Sequence, residues 1–128
     1  MDNLELLAQA RLAQKNAYAP YSHFRVGAAL LTASGKVFLG CNIENAGYAA
    51  TICAERTALS AAMAAGEREF CKLAVVSDND PTYPCGVCRQ VISELMPKGL
   101  LVVQDSDGAA RELTVDEILP YAFVLKEE

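Results

Sequence analysis

Tryptophan is absent from the 128 residues, histidine occurs once, at His23, and aromatic residues make up only 7% of the chain. Core volume must therefore come from Leu, Val, Ile, Phe, Tyr and the many Ala, and a metal site built on several imidazoles is excluded. Long apolar runs are missing too: no stretch reaches the length that spans a bilayer, so no membrane partner is expected. Met1 to Leu7 carries Asp2 and Glu5 where an export signal would have a basic start and an apolar run, which predicts a cytoplasmic protein. Basic residues are in deficit, 11 Lys and Arg against 16 Asp and Glu, for a formal charge of −5. Binding to a nucleic-acid polymer is driven by Lys and Arg neutralising phosphates, so a small, neutral ligand fits this balance better.

What is present is globular. Hydrophobic residues make up 52% and charged residues 21%, far from the signature of disorder, and the length is that of one domain spanning residues 1–128. Five cysteines form an odd count in a chain with no export signal. Metal binding or free thiols are expected rather than a disulfide framework.

Asn3 to Tyr18 carries Leu4, Leu7, Ala8 and Leu12 at helical spacing, with Asp2 or Asn3 to cap its start and Pro20 beyond its end. Arg25–Thr32 and Val37–Cys41 are apolar runs flanking Ala33-Ser34-Gly35-Lys36 and predict a hairpin. Cys53–Ala65 is Ala-rich and stops at Gly66, as a helix with a left-handed C-cap would. Leu73–Ser77 predicts a buried strand, 78–84 a polar loop, and Gly86–Met96 a helix broken by Pro97 and Gly99. Leu100–Gln104 and Ala110–Leu113 complete the strands, and Thr114–Leu119 forms a last short helix. Helices alternating with buried strands give an α/β layered sheet, mixed in direction because it opens with a hairpin.

Chemistry concentrates in Cys53-Ala54-Glu55 and, about thirty residues later, Pro84-Cys85-Gly86-Val87-Cys88. Both fall at expected helix starts, where free N–H groups and the positive dipole end favour thiolates. Three thiolates on one Zn²⁺ leave a tetrahedral position open for water, the mark of a catalytic rather than a structural site. Glu55 lies two positions after Cys53 and so points to another side of the helix. It is placed to handle the water's proton rather than to bind metal. Three anionic ligands leave the site net negative, so Arg56 first and Arg89 second are expected to donate hydrogen bonds to the sulfurs. The alternative for each arginine is an exposed helix side chain, and for a lone Glu in a first helical turn, dipole stabilisation.

The pairing of C-x-E with P-C-x-x-C is the described pattern of zinc base deaminases, here in its three-Cys form. The chain closely resembles the small homotetrameric zinc-dependent cytidine deaminases over nearly its whole length. The likeness rests on Cys53-Ala54-Glu55-Arg56-Thr57-Ala58-Leu59, on Pro84-Cys85-Gly86-Val87-Cys88-Arg89-Gln90, and on three further stretches: 19–22, 24–30 and 40–46. The resemblance implies a three-layer α/β/α fold with a five-stranded sheet between helices, and one Zn²⁺ per chain on Cys53, Cys85 and Cys88. It implies hydrolysis of cytidine and deoxycytidine to uridine and deoxyuridine with release of ammonia, as in pyrimidine salvage. A zinc-activated water would attack C4, with Glu55 as proton shuttle. Asn42 and Glu44 would hold the ribose hydroxyls, Phe24 would pack on the base, and the Ala54 amide would receive the pyrimidine carbonyl. Phe123 would reach a neighbouring subunit's pocket in a homotetramer. Tyr83 departs from the family's pattern, standing before Pro84 where relatives often carry a small residue, and Cys41 and Cys71 match no ligand position.

Two readings of other classes compete. A thiol oxidoreductase would use Cys85-Gly86-Val87-Cys88 as a redox pair but leaves Cys53-Ala54-Glu55 unexplained. A non-catalytic zinc module would want a fourth ligand that the sequence does not supply. Within the enzyme class, a blasticidin-type or other base deaminase shares the zinc motifs, while the Asn42-x-Glu44 pair favours a ribose-bearing substrate.

Overall fold

The structure, a computed structural model, describes residues 1–125; the last three positions of the expected domain lie outside the described residues. Helix α1 (Asn3–Gln14) starts on Asp2, whose carboxylate accepts the Glu5 amide at 2.8 Å and replaces a missing helical acceptor. It ends before the expected Tyr18. The residue preceding a proline disfavours helical backbone, and the backbone of Tyr18 is claimed elsewhere: its amide donates to Asn42 O at 2.9 Å and its carbonyl accepts Glu44 N at 2.8 Å.

Strands β1 (Val26–Thr32) and β2 (Val37–Cys41) form the expected hairpin, with Gly35 at φ +88° in its turn. Then follow α2 (Ala54–Ala64), β3 (Phe70–Ser77), α3 (Gly86–Leu95), β4 (Leu100–Gln104), β5 (Ala110–Thr114) and the single turn α4 (Val115–Ile118). Thr114 and Glu117 close a reciprocal capping box at the start of α4. Strand β3 begins three residues before the expected Leu73, because Phe70 and Lys72 pair with Thr32 and Leu31 across a register shift.

Among the described residues the sheet order is β2-β1-β3-β4-β5, with only the β3/β4 pair parallel. It is the expected mixed five-stranded sheet, and alternation along the strands fills both faces. Ala28, Leu30, Leu73, Val75, Leu101 and Val103 face one way and pack with Ala54, Ala58, Leu59, Ile92 and Ile118 of the helices α2, α3 and α4. Ala29, Ala74, Val76 and Val102 face the other way, onto Leu6, Leu7 and Ala10 of α1. Three layers, α/β/α, result.

Two glycines let the helices sit this close to the sheet. A Cβ on Gly27 would lie 2.0 Å from Ala10 O, and one on Gly40 would lie 2.3 Å from Ala54 O and 2.5 Å from Ala58 N. The atoms opposing Gly40 are backbone at the start of α2, so they cannot turn aside. Gly40→Ala is expected to push α2 off the sheet, with a loss of about 2–3 kcal/mol typical of overpacking. Because α2 carries Cys53 and Glu55, urea melts and zinc content should fall together. A variant with unchanged zinc content would mean that the close approach is not needed to place the cysteine.

Candidate active site

Two helix starts meet at one end of the sheet. Cys53 is the N-cap of α2 and Cys85 the N-cap of α3, both with extended backbone, while Cys88 lies within the first turn of α3. Neither cap cysteine uses its side chain to cap the helix. The sulfurs are thereby left free to converge. Cys53 Sγ lies 3.8 Å from Cys85 Sγ, and the ligand atoms of Cys53, Cys85 and Cys88 all fall within 4.8 Å of one another. Zinc–sulfur bonds of about 2.3 Å in tetrahedral array demand sulfur separations of about 3.8 Å. The three thiols therefore fit a zinc ion.

The charge of this triad is unevenly shared. Hydrogen bonding from Cys88, then from Arg56 and Cys85, brings the Cys53 thiol down to about 5. Cys88 moves strongly the other way, because it donates to the Cys53 thiolate and is buried beside Glu55. Arg56 Nη2 lies 3.5 Å from both Cys53 Sγ and Thr51 O, and its Nε is buried with no partner among the described residues. A guanidinium with a spare buried N–H beside a sulfur triad suits a cluster that carries negative charge.

Arg89 departs from its expected place at the sulfurs. Its Nε donates to Pro84 O and its Nη1 to Ile118 O, both at 2.8 Å, so it ties the turn before Cys85 to α4. Two carbonyls left open by a proline turn and a one-turn helix capture the guanidinium before it reaches sulfur.

Glu55 is 4% exposed, and burial is the chief reason its carboxyl is pushed up to about 7. It lines the same open cavity as Cys53, Cys85, Phe24, Asn42, Glu44 and Ala54. Asn42 is buried and cross-links the backbone: its Oδ1 accepts Val26 N at 2.9 Å and its Nδ2 donates to Phe24 O at 2.8 Å. One donor and one acceptor position of the amide remain for a ligand. Glu44 accepts from the amides of Tyr21 and Ser22 and from Ser22 Oγ at 2.5 Å. Those bonds, the hydroxyl first, hold its carboxyl below its ordinary value. Phe123 lies elsewhere, along a separate cavity beside α3 and α4 with Ser93, Val115 and Leu119.

Sequence reasoning missed the groups that brace these residues. Ser22 orients Glu44, and Thr57 Oγ1 spans Cys41 O and Cys53 O. Arg11 grips the loop that leads to Cys85: it pairs with Asp80, and donates to Ser77 O at 2.7 Å and Gln104 Oε1 at 3.0 Å. Its helical position gave no signal, since the partners are 66 and more residues away.

A sulfur site with room for one more ligand, set beside a buried carboxyl that titrates near neutrality, defines a zinc-dependent hydrolase. Residues 1–104 match the family model for the cytidine and deoxycytidylate deaminase zinc-binding region. The chain belongs to that family. A cytidine deaminase of Halalkalibacterium halodurans is 48% identical over 99% of this chain and 98% of its own. The crystal structure of a cytidine deaminase from Burkholderia pseudomallei superposes with TM-score 0.91 at 50% identity, covering 96% of this chain and all of that one. One from Mycobacterium tuberculosis gives 0.86 at 37%, covering 98% and 99%.

Proposed function

We propose that this chain hydrolyses cytidine and deoxycytidine to uridine and deoxyuridine, releasing ammonia, as one catalytic unit over residues 1–128. The observation that carries the reading is that Cys53, Cys85 and the buried Glu55 line a cavity that Asn42 and Glu44 also line, with the buried Cys88 sulfur within 4.8 Å of the other two. Cys53, Cys85 and Cys88 would hold the zinc ion, which when bound would supply an acidified water as nucleophile. Glu55 does the proton work: it takes a proton from that water, gives it to N3 of the ring, and passes the second to the departing amine. Burial raises this carboxyl above its ordinary value in the metal-free chain, the direction that suits a group which must both accept and return a proton.

Glu44, held ionised by Ser22 and two amides, is an acceptor for ribose hydroxyls, and Asn42 offers its remaining donor. Phe24 packs on the base. Ala54 opens α2, where a backbone N–H has no helical acceptor and can meet the pyrimidine carbonyl. The role in the cell is nucleoside salvage in the cytoplasm; no helix of the described residues is long and apolar enough to cross a membrane.

The working form is a homotetramer. The site cavity, about 1320 Å³, exceeds the 300–1,000 Å³ usual for small ligands, which suits closure by a neighbouring chain. Phe123, 71% exposed, and Tyr121, fully exposed, are apolar surface available for that contact. Sedimentation that finds monomers at micromolar concentration removes this part.

Ammonia release from cytidine, deoxycytidine, free cytosine and blasticidin, with zinc per chain measured alongside, tests the whole. Turnover of both nucleosides is expected, with cytosine poor for want of a ribose. Equal rates on cytosine would discard the roles of Asn42 and Glu44.

A further inference from the structure

Tyr83 stands two residues before Cys85 and lines the same cavity as Cys85, Cys53 and Glu55. The residue is 45% exposed, so packing alone does not hold it. A hydrogen bond does: Arg111 Nη2 on β5 donates to Tyr83 Oη at 2.5 Å. The guanidinium carbon is 5.7 Å from the ring centroid, at the outer edge of cation–π range, so the phenol oxygen is the anchor. Arg111 is itself fixed, its Nε lying 3.1 and 3.3 Å from the two carboxylate oxygens of Asp105 in the β4–β5 turn. A cation oriented by a carboxylate and donating to a phenol makes a charge-assisted bond, stronger than a neutral one. The ring cannot swing away from the cavity without breaking it.

Resting on the deaminase reading above, we propose that Tyr83 is a specificity-determining wall beside the departing amine, and that Arg111 is the positioning residue that latches it. The reacting carbon must sit at the sulfur end of the cavity, so its exocyclic nitrogen sits there too. Anything larger than hydrogen on that nitrogen meets a wall that includes a ring held at its far end. The wall selects for an unsubstituted amine. It acts by exclusion, and so it should alter discrimination between substrates far more than the rate on cytidine.

The test compares cytidine with N4-methylcytidine in the zinc-loaded enzyme. One excluded methyl group is worth about 10–200-fold in a well-formed pocket. Tyr83→Ala should raise the kcat/KM ratio of the methylated to the plain substrate at least about tenfold. Tyr83→Phe and Arg111→Ala should each raise it about threefold, and the two combined no more than either alone, since both remove one bond. Zinc per chain should stay at the parental level in all of them, which separates discrimination from damage to the site.

The same ratio is read as dissociation constants by calorimetry in a Glu55→Gln background, where turnover is slowed about a thousandfold or more. If the parental chain binds cytidine but releases no ammonia, the deaminase reading fails while the binding ratio still scores the wall. If it binds neither nucleoside, both fall. An unchanged ratio in Tyr83→Ala overturns the wall, and a doubled effect in the Tyr83→Phe/Arg111→Ala pair overturns the latch.

Discussion

Glu55→Gln is expected to lower kcat on cytidine by about a thousandfold or more while leaving one zinc per chain. General acid–base catalysis by one positioned group contributes about 10²–10⁴ in rate, and Glu55 serves two proton transfers. The amide has the carboxyl's shape but can neither take nor return a proton. A second consequence concerns stability. In the metal-free chain burial raises Glu55 from 4.5 to about 7, so between those values the folded state holds a proton that the unfolded chain has lost. Stability from this group is full below pH 4.5 and declines as pH rises through 7. The loss is about 3 kcal/mol by pH 8, or about 10 °C in Tm for a domain of this size. Glu55→Gln escapes it. Zinc-stripped variant and parent should therefore melt together near pH 4 and diverge by pH 8, with the inactive protein the more stable. A parent that melts as high as the variant at pH 8 would mean that water reaches the carboxyl when the metal is gone.

That trade is legible in the sequence only in part, and the reason is physical. The C-x-E and P-C-x-x-C motifs were readable because their geometry is local. A helix start fixes where its cap residue and first turn point, so Cys53, Glu55, Cys85 and Cys88 follow once α2 and α3 are placed. Burial of Glu55 is a tertiary fact that depends on the sheet order β2-β1-β3-β4-β5, which no local pattern dictates. Distance in sequence also hid the bracing: Arg11 meets Asp80, Glu44 meets Ser22, and Arg111 meets Tyr83 across 69, 22 and 28 positions. Arg89 does not reach the sulfurs for a different reason. Its competing acceptors, Pro84 O and Ile118 O, are backbone atoms whose availability depends on how the turn before α3 and the end of α4 meet. Strand β3 began early because Lys72, polar and therefore unpromising in a buried strand, has Glu112 on β5 at 2.9 Å and Asn3 on α1 at 2.8 Å to receive its charge.

Cys88→Ala should have the largest effect of any single change: zinc below about a tenth of an equivalent per chain, and no detectable turnover. Structural zinc in four-ligand sites contributes about 10–16 kcal/mol of binding, so losing one of only three protein ligands removes several kcal/mol and with it stoichiometric occupancy. Cys88 is the discriminating choice because it is fully buried, whereas Cys85 is exposed and Cys53 partly so. A redox pair would need Cys85 and Cys88 alone and would be indifferent to Cys53. The metal reading instead couples all three, and that coupling is visible without metal. The hydrogen bond from Cys88 is the largest cause of the depressed Cys53 thiol at about 5. In zinc-stripped protein, the pH at which Cys53 becomes reactive to iodoacetamide should lie near 5 in the parent and rise in Cys88→Ala, toward the range of an ordinary thiol. Peptide mapping of the alkylated product assigns the site. Retention of equimolar zinc by Cys88→Ala, or a Cys53 profile that does not move, would break the link between the two helix starts on which the site depends.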